Sequence, residues 1–362
     1  VNTLSVPNNL DNPNIKPSFS TSYEGGIDLR FFDRLELNFT YYKQETRDQI
    51  IPLDISGTSG YSSATINAGL IENSGIELSL SGAPVQKRSF SWNSVFNLAR
   101  NWNEVVRLSP DIDVYTHGST TYSGTTSYMN SYEGEAYGVL VGQAFQRDES
   151  TGKILLDDNN LPLWTDATTR FGTVLPDFTG GFQNVFNYKN FSLSTMIDFQ
   201  IGGQFFSRSR LLAAKTGLSP ETAGMNDKGN NVRDPVDEGG GVKVEGISNS
   251  TGEAVTAYVN ANSYYNGILG DDIYEPWVTD ASYVKLREVR LGYTFGSEIL
   301  GSWSVRSIRL GAYVNNPVMI WQKAPNGLDP SELSSGSQDI TWYESAQLNT
   351  VRTYGVNINL TF

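Results

Sequence analysis

RTYGVNINLTF, residues 352–362, splits by parity into two sets of opposite character. Tyr354, Val356, Ile358, Leu360 and Phe362 form one set; Gly355, Asn357, Asn359 and Thr361 form the other. Successive side chains of a β-strand point to opposite faces, so this is a strand with one apolar and one polar side. It ends on an aromatic residue, which a soluble sheet does not need. In a bacterial outer-membrane barrel the last strand closes the barrel, and its terminal aromatic, here Phe362, belongs in the interfacial girdle.

The same alternation recurs upstream. Tyr23, Ile27, Leu29 and Phe31 alternate with Glu24, Asp28 and Arg30; after a tight turn at 32–34, Leu35, Leu37, Phe39 and Tyr41 alternate with Glu36, Asn38 and Thr40. Further strands are centred on Ile76–Leu80, Phe90–Leu98, Phe182–Tyr188, Phe191–Ile201, Val289–Phe295 and Ile308–Val314. With the terminal strand these make nine. Connections alternate between short turns and long segments, the long ones being about 43–67, 101–177, 206–280 and 321–345. Outer-membrane barrels have this asymmetry, with short periplasmic turns and long extracellular loops. Phe31, Phe32, Phe90, Tyr188, Phe191, Phe295, Trp303 and Phe362 lie beside short turns or the terminus, where one girdle is expected. Tyr41, Trp102, Phe205, Phe206, Tyr283 and Trp321 lie at the opposite strand ends, where the other is expected. A soluble sandwich also alternates, but its strands run to about 5–6 residues, whereas a tilted bilayer crossing takes about 9–11. The fold class expected is therefore all-β, a transmembrane antiparallel β-barrel.

Composition agrees. The formal charge of −13 excludes nucleic acid as a partner, since phosphates demand a basic surface. Cysteine is absent and His117 is the single histidine, so thiolate and two-histidine metal sites are excluded. Mean hydropathy is −0.33, and no run is long enough for a transmembrane helix. Half-polar barrel strands are compatible with that average. Nine is odd where bacterial single-chain barrels are even, and Val1 follows no signal sequence. The chain is thus expected to be the carboxy-terminal part of a longer protein.

Several stretches carry a resemblance: NPNIKP (12–17), GGIDLRF (25–31), NAGLIENSGIELSLSG (67–82), EGEAYGVLVG (133–142), LPDFTGGFQNVFNYKNFSLSTMIDFQIGG (175–203), DASYVKLREVRLGYTF (280–295), VNNPVMIWQKAPNGLDPSE (314–332) and the terminal strand. Taken in order, they resemble the carboxy-terminal barrel region of SusC/RagA-type TonB-linked outer-membrane proteins. The resemblance implies a plugged barrel of 22 strands, the plug being absent from this chain. It also implies import of oligosaccharides or peptides, a SusD-like lipoprotein lid, TonB engaged through the missing amino-terminal part, and outer-membrane lipid around the wall. A rival within the family is a scaffold role, with the loops holding other subunits of an outer-membrane assembly.

Candidate site residues are few. Asp148, Glu149, Asp157 and Asp158, in a hairpin turning at 150–152, carry enough oxygens to gather Ca²⁺, though without EF-hand spacing; a solvated acidic loop is the plainer reading. Trp164, Trp277, Trp342 and Tyr343 fall in long loops, where aromatics stack on a ligand, anchor a lid or pack loop against loop. Asn38, Asp198, Arg290 and Arg309 are expected on the inner face. Arg287 shares parity with Val289 and Leu291 and is expected at the interface. His117 is expected in a solvated loop. No nucleophile elbow or P-loop is present, so no enzyme activity is expected.

Overall fold

The computed structural model describes residues 9–54, 61, 63–109, 112–122, 125–301, 305–333, 342–346, 348 and 350–362. Trp303 lies outside them. Nine strands follow one another around a single antiparallel sheet in chain order. They are β1 (Phe19–Phe31), β2 (Leu35–Asp54), β3 (Ser63–Lys87), β4 (Phe90–Arg107), β5 (Phe178–Tyr188), β6 (Phe191–Ile201), β7 (Tyr283–Phe295), β8 (Ser307–Gln322) and β9 (Thr353–Thr361). A two-residue strand, Asn9–Leu10, pairs in parallel with β3.

The register matches apolar residue to apolar residue across the sheet. Leu29 faces Leu37, Leu37 faces Leu80, Leu80 faces Phe96, Phe96 faces Phe182, and Phe182 faces Ile197. Nearer the short turns, Tyr188 faces Phe191, then Tyr293, Leu310 and Ile358 follow strand by strand. These rows are exposed, with Ile27 at 58%, Leu291 at 53% and Val356 at 82%. A face this apolar and this exposed has its solvent in lipid. The opposite face carries Asn38, Asp198, Arg290 and Arg309, as the sequence predicts.

Aromatic rings close over glycines on both faces. A Cβ on Gly180 would run into the Phe199 ring, one on Gly75 into Tyr42, and one on Gly355 into Tyr313. Each ring lies flat where no side chain stands, which pins the local register. Asn184, a polar residue on the lipid-facing side, is buried and accepts the Trp92 indole N–H at 2.9 Å, which meets its desolvation cost.

The structure corrects two expectations. The segment 43–67 is mostly strand: β2 and β3 stay paired out to Asp54 and Ser63. Residues beyond the bilayer are wet on both faces, so they lose apolar alternation while their backbones still pair. Phe205, Phe206 and Tyr283 are not outer-girdle residues; they are 0%, 1% and 8% exposed, packed inside the loop layer.

Leu80 sits in the middle of the apolar rows, where an Arg costs a barrel about 2–4 kcal/mol. Leu80→Arg is expected to lower the folded fraction in lipid vesicles, measured by heat-modifiable gel migration across a urea series. Ser79→Gln, on the inner face, is expected to leave it unchanged.

Candidate functional site

Above the wall, the loops build a roof with its own core. Gln204–Ser207 pairs with Val278–Asp280 on one side and with Tyr343–Glu344 on the other. Helix α1 (Arg208–Lys215) follows, with Ser207 as its N-cap accepting from the Arg210 amide. Phe206, Leu211, Ala214, Leu269, Ile273, Tyr274 and Trp277 form a buried cluster, against which Phe145, Trp164, Phe171 and Tyr343 pack. Met129, Leu140, Val174 and Trp342 form a second. Three long connections therefore share one packed body.

This settles where the candidate aromatics lie. Trp277 and Trp342 are 2% and 1% exposed, so in this structure they are core residues and present no face to a ligand or a lid. The Trp277 indole donates to the Leu269 carbonyl at 2.9 Å, and Trp342 meets Tyr343 edge-on at 5.0 Å. Trp164 and Tyr343 are half-buried. A buried loop needs apolar mass to offset its ordering entropy, and these rings supply it.

The carboxylates offered for Ca²⁺ are not brought together. Asp148 accepts from Ser150 Oγ, Thr151 N and Thr151 Oγ1, and those hydrogen bonds hold its carboxyl below the usual range. Asp157 accepts from Asn159 N and Leu161 N, both at 2.8 Å. Glu149 and Asp158 are exposed. The first two carboxylates cap their own turns, and among the described residues no group of three or more Asp, Glu or His converges to hold a metal. The expected hairpin is present, with Arg147 bridging to Ile154.

The densest polar cluster lies at the outer end of β6 and β7 on the inner face. A bulge between Leu286 and Glu288 shifts the register, so Arg287 does not keep the parity of Val289 and Leu291. It turns inward instead, donating to Asp198 at 2.8 Å and Glu332 at 2.8 Å. Bulges re-aim side chains in this way. Tyr283 also donates to Asp198, at 3.1 Å. Beside them Lys285, 3% exposed, donates to Asp329 (2.6 Å), Ser331 (2.9 Å) and Thr350 (3.1 Å). Burial opposes the Asp329 carboxylate, but the donors Lys285, Ser331 and Thr350 outweigh it, and its pKa is lowered. Breaking a buried pair of this kind typically costs about 3–5 kcal/mol, because the surviving charge is stranded. The cluster thus straps 329–332 to the wall at the barrel mouth. Within the roof, Glu344, 4% exposed, accepts from Ser207 Oγ at 2.8 Å. Deeper on the inner face, Arg290 pairs with Glu288 and Arg309 donates to Ser192. This is a polar lining whose charged groups at the outer end are paired.

His117 corrects another expectation. It lies between the rings of Tyr115 and Tyr137, at centroid distances of 4.7 and 4.0 Å, with Nε2 2.7 Å from Ser131 Oγ and Nδ1 2.9 Å from Tyr137 Oη. Its hairpin, Val114–Tyr122 with Thr125–Tyr132, encloses with the outer ends of β2–β4 a small cavity lined by Ile51, Ile71, Val105 and His117. Burial lowers its pKa from 6.5 to about 4. A lone histidine in a Thr- and Ser-rich stretch gives no sequence signal for this.

Comparisons with known proteins match the whole arrangement. A family model described as TonB dependent receptor-like, beta-barrel covers residues 2–317. TonB-dependent receptor P3 of Formosa agariphila is 26% identical over 379 residues, covering 97% of this chain and 35% of that protein. TonB-dependent receptor SusC of Bacteroides thetaiotaomicron is 25% identical over 341 residues, covering 90% of this chain and 30% of that one. A chain of the RagAB peptide importer in its open-open state superposes with a TM-score of 0.69 at 18% identity, over 97% of this chain and 35% of that chain. The closed-closed state gives 0.68 at 19%. The chain therefore spans about a third of the length of these relatives.

A histidine held neutral by burial contributes stability that is fully present above its unfolded pKa of about 6.5 and is lost as pH falls towards its folded pKa of about 4. The protection factors of amides in 114–122 and 125–132, that is, their intrinsic exchange rates at each pH divided by the observed ones, are expected to fall over that window, by up to about tenfold per pH unit. His117→Gln is expected to flatten the dependence.

Proposed function

This chain belongs to the TonB dependent receptor-like β-barrel family and lies in the bacterial outer membrane; from that premise we propose that it forms wall and roof of an energy-coupled importer of oligosaccharides or peptides. In this reading a SusD-like lipoprotein closes over the roof, and TonB acts through a part of the receptor outside this chain. The observation that carries it is the pairing of an apolar outer face with a charged inner lining whose outermost cluster, Lys285–Asp329 and Arg287–Glu332, straps a loop at the mouth. A wall serving only as an anchor needs the first feature and not the second. The RagAB peptide importer is a structural neighbour that suggests peptides; oligosaccharides come from the SusC/RagA-type resemblance of the sequence.

The two sheet edges, β1 and β9, are unpaired in this structure apart from their single neighbours. Bilayers do not tolerate bare edges, so further strands of the receptor are proposed to pair on both. The roof suits a lid. Its apolar cores are packed and it is tied to the wall by Arg287 and Lys285, so it offers a firm surface instead of free loops.

The test is extraction from the native outer membrane in mild detergent, with mass spectrometry of everything that co-purifies. A one-to-one surface lipoprotein together with a retained oligosaccharide or peptide is the expected result. A large stable assembly with several other subunits and no ligand would overturn import in favour of a scaffold.

A further inference from the structure

Arg100 occupies an unusual place: an arginine in the lipid-facing rows. It pairs with Ile76 across β3–β4 and shares parity with the outward Phe96 and Leu98. Its guanidinium lies 4.6 Å from the Trp102 ring and 4.7 Å from the Phe178 ring. Two adjacent strands thus clamp one cation between aromatic faces. Several other cations of this wall have carboxylates: Lys43, on the same face, pairs with Glu72 at 2.8 Å, and Arg287 and Arg290 pair with Asp198 and Glu288. Arg47, further out on the same face, lies over the Phe19 ring, and Arg309, on the inner face, donates to Ser192. Arg100 forms no ion pair among the described residues.

Its depth follows from strand geometry. Phe90 lies beside a short turn and Arg100 is ten residues further along β4. Ten residues at about 3.4 Å each, tilted by about 40°, rise about 26 Å, against an apolar band about 25 Å tall. Arg100 therefore stands at the outer margin of the band. Tyr41, which pairs with Ile76, is level with it, and Trp102 is two residues further out. An uncompensated charge is expensive at the midplane and tolerable at this level.

We propose that Arg100, held by Trp102 and Phe178, docks the phosphate of an outer-leaflet lipid headgroup. The inference rests on the membrane orientation and not on the import reading. Stacking occupies the faces of the guanidinium and leaves its N–H edge for an acceptor. That edge matches two phosphate oxygens bidentately, and arginine sheds its hydration more readily than lysine. At the interface of a protein of charge −13, an unpaired outward cation is complementary to the anionic headgroups around it. The clamp fixes the side chain in advance, so little rotamer entropy remains to be lost on docking.

The experiment uses the receptor purified from its own outer membrane. Native mass spectrometry measures binding of bisphosphorylated lipid A, of lipid A stripped of its phosphates, and of the first lipid in the presence of excess inorganic phosphate. R100A is expected to weaken binding of the phosphorylated lipid about fivefold, the scale for one basic residue near an anionic surface. Dephosphorylated lipid is expected to bind wild type and variant alike, and inorganic phosphate is expected not to compete. Equal affinity of R100A and wild type for the phosphorylated lipid would overturn the proposal. So would an equal loss with the dephosphorylated lipid, which would assign the effect to the aromatic surface, or effective competition by free phosphate. Heat-modifiable migration reports folding; if R100A fails to assemble, R100K, which keeps the charge but not the planar fork, is put to the same comparison with an intermediate loss expected.

Discussion

Everything in this molecule depends on keeping one face of one sheet apolar across eight successive strand joints. Lipid offers no hydrogen bonds, so each backbone N–H and C=O in the band must find its partner on a neighbouring strand. Side-chain period is two, so a slip of one residue in any joint would turn a whole strand's apolar set inward. The observed register avoids this at every joint, from Leu29 opposite Leu37 to Leu310 opposite Ile358. Rings lying over Gly75, Gly180 and Gly355 add shape to the same specification. Where the wall needs a charge to face inward near its outer end, it inserts one residue at Arg287 and resumes in the opposite phase.

Above the band the constraint changes. Water satisfies backbone groups there, and strands β2 and β3 continue as a paired ribbon without an apolar stripe. The long connections then bury Phe206, Trp277 and Trp342 in cores of their own. The ion pairs of Lys285 and Arg287 join this roof to the wall, and the buried Glu344 bonded to Ser207 holds it together internally. The placement of these ion pairs at the mouth makes roof geometry and inner lining parts of one cluster.

Much of the wall was legible in the sequence because alternation is a direct record of two unlike solvents. Strand number, strand order and the sense of each face all follow from it. The bulge is legible too, in a change of phase: Val284 and Leu286 are apolar at even positions, whereas Val289, Leu291 and Tyr293 are apolar at odd ones. That change of phase gives Arg287 its inward direction. The roof was not legible, because its strands are short and its cores join residues from three distant segments. Trp277 and Trp342 look alike as loop aromatics whether they stack on a partner or on one another, and nothing local to His117 announces the rings of Tyr115 and Tyr137. The acidic hairpin misled for a related reason: Asp148 and Asp157 use their oxygens on their own turns.

This chain contains no cysteine, so in a receptor kept free of cysteine elsewhere the central claim is directly measurable. Single cysteines placed in turn from 354 to 361 along β9, spin-labelled in the receptor in lipid bilayers, report collision with oxygen, which concentrates in lipid, and with a water-soluble nickel chelate. Positions 354, 356, 358 and 360 are predicted to favour oxygen, and 355, 357, 359 and 361 the chelate or neither, with a strict period of two. Equal access of the chelate to both sets would contradict a membrane-spanning wall.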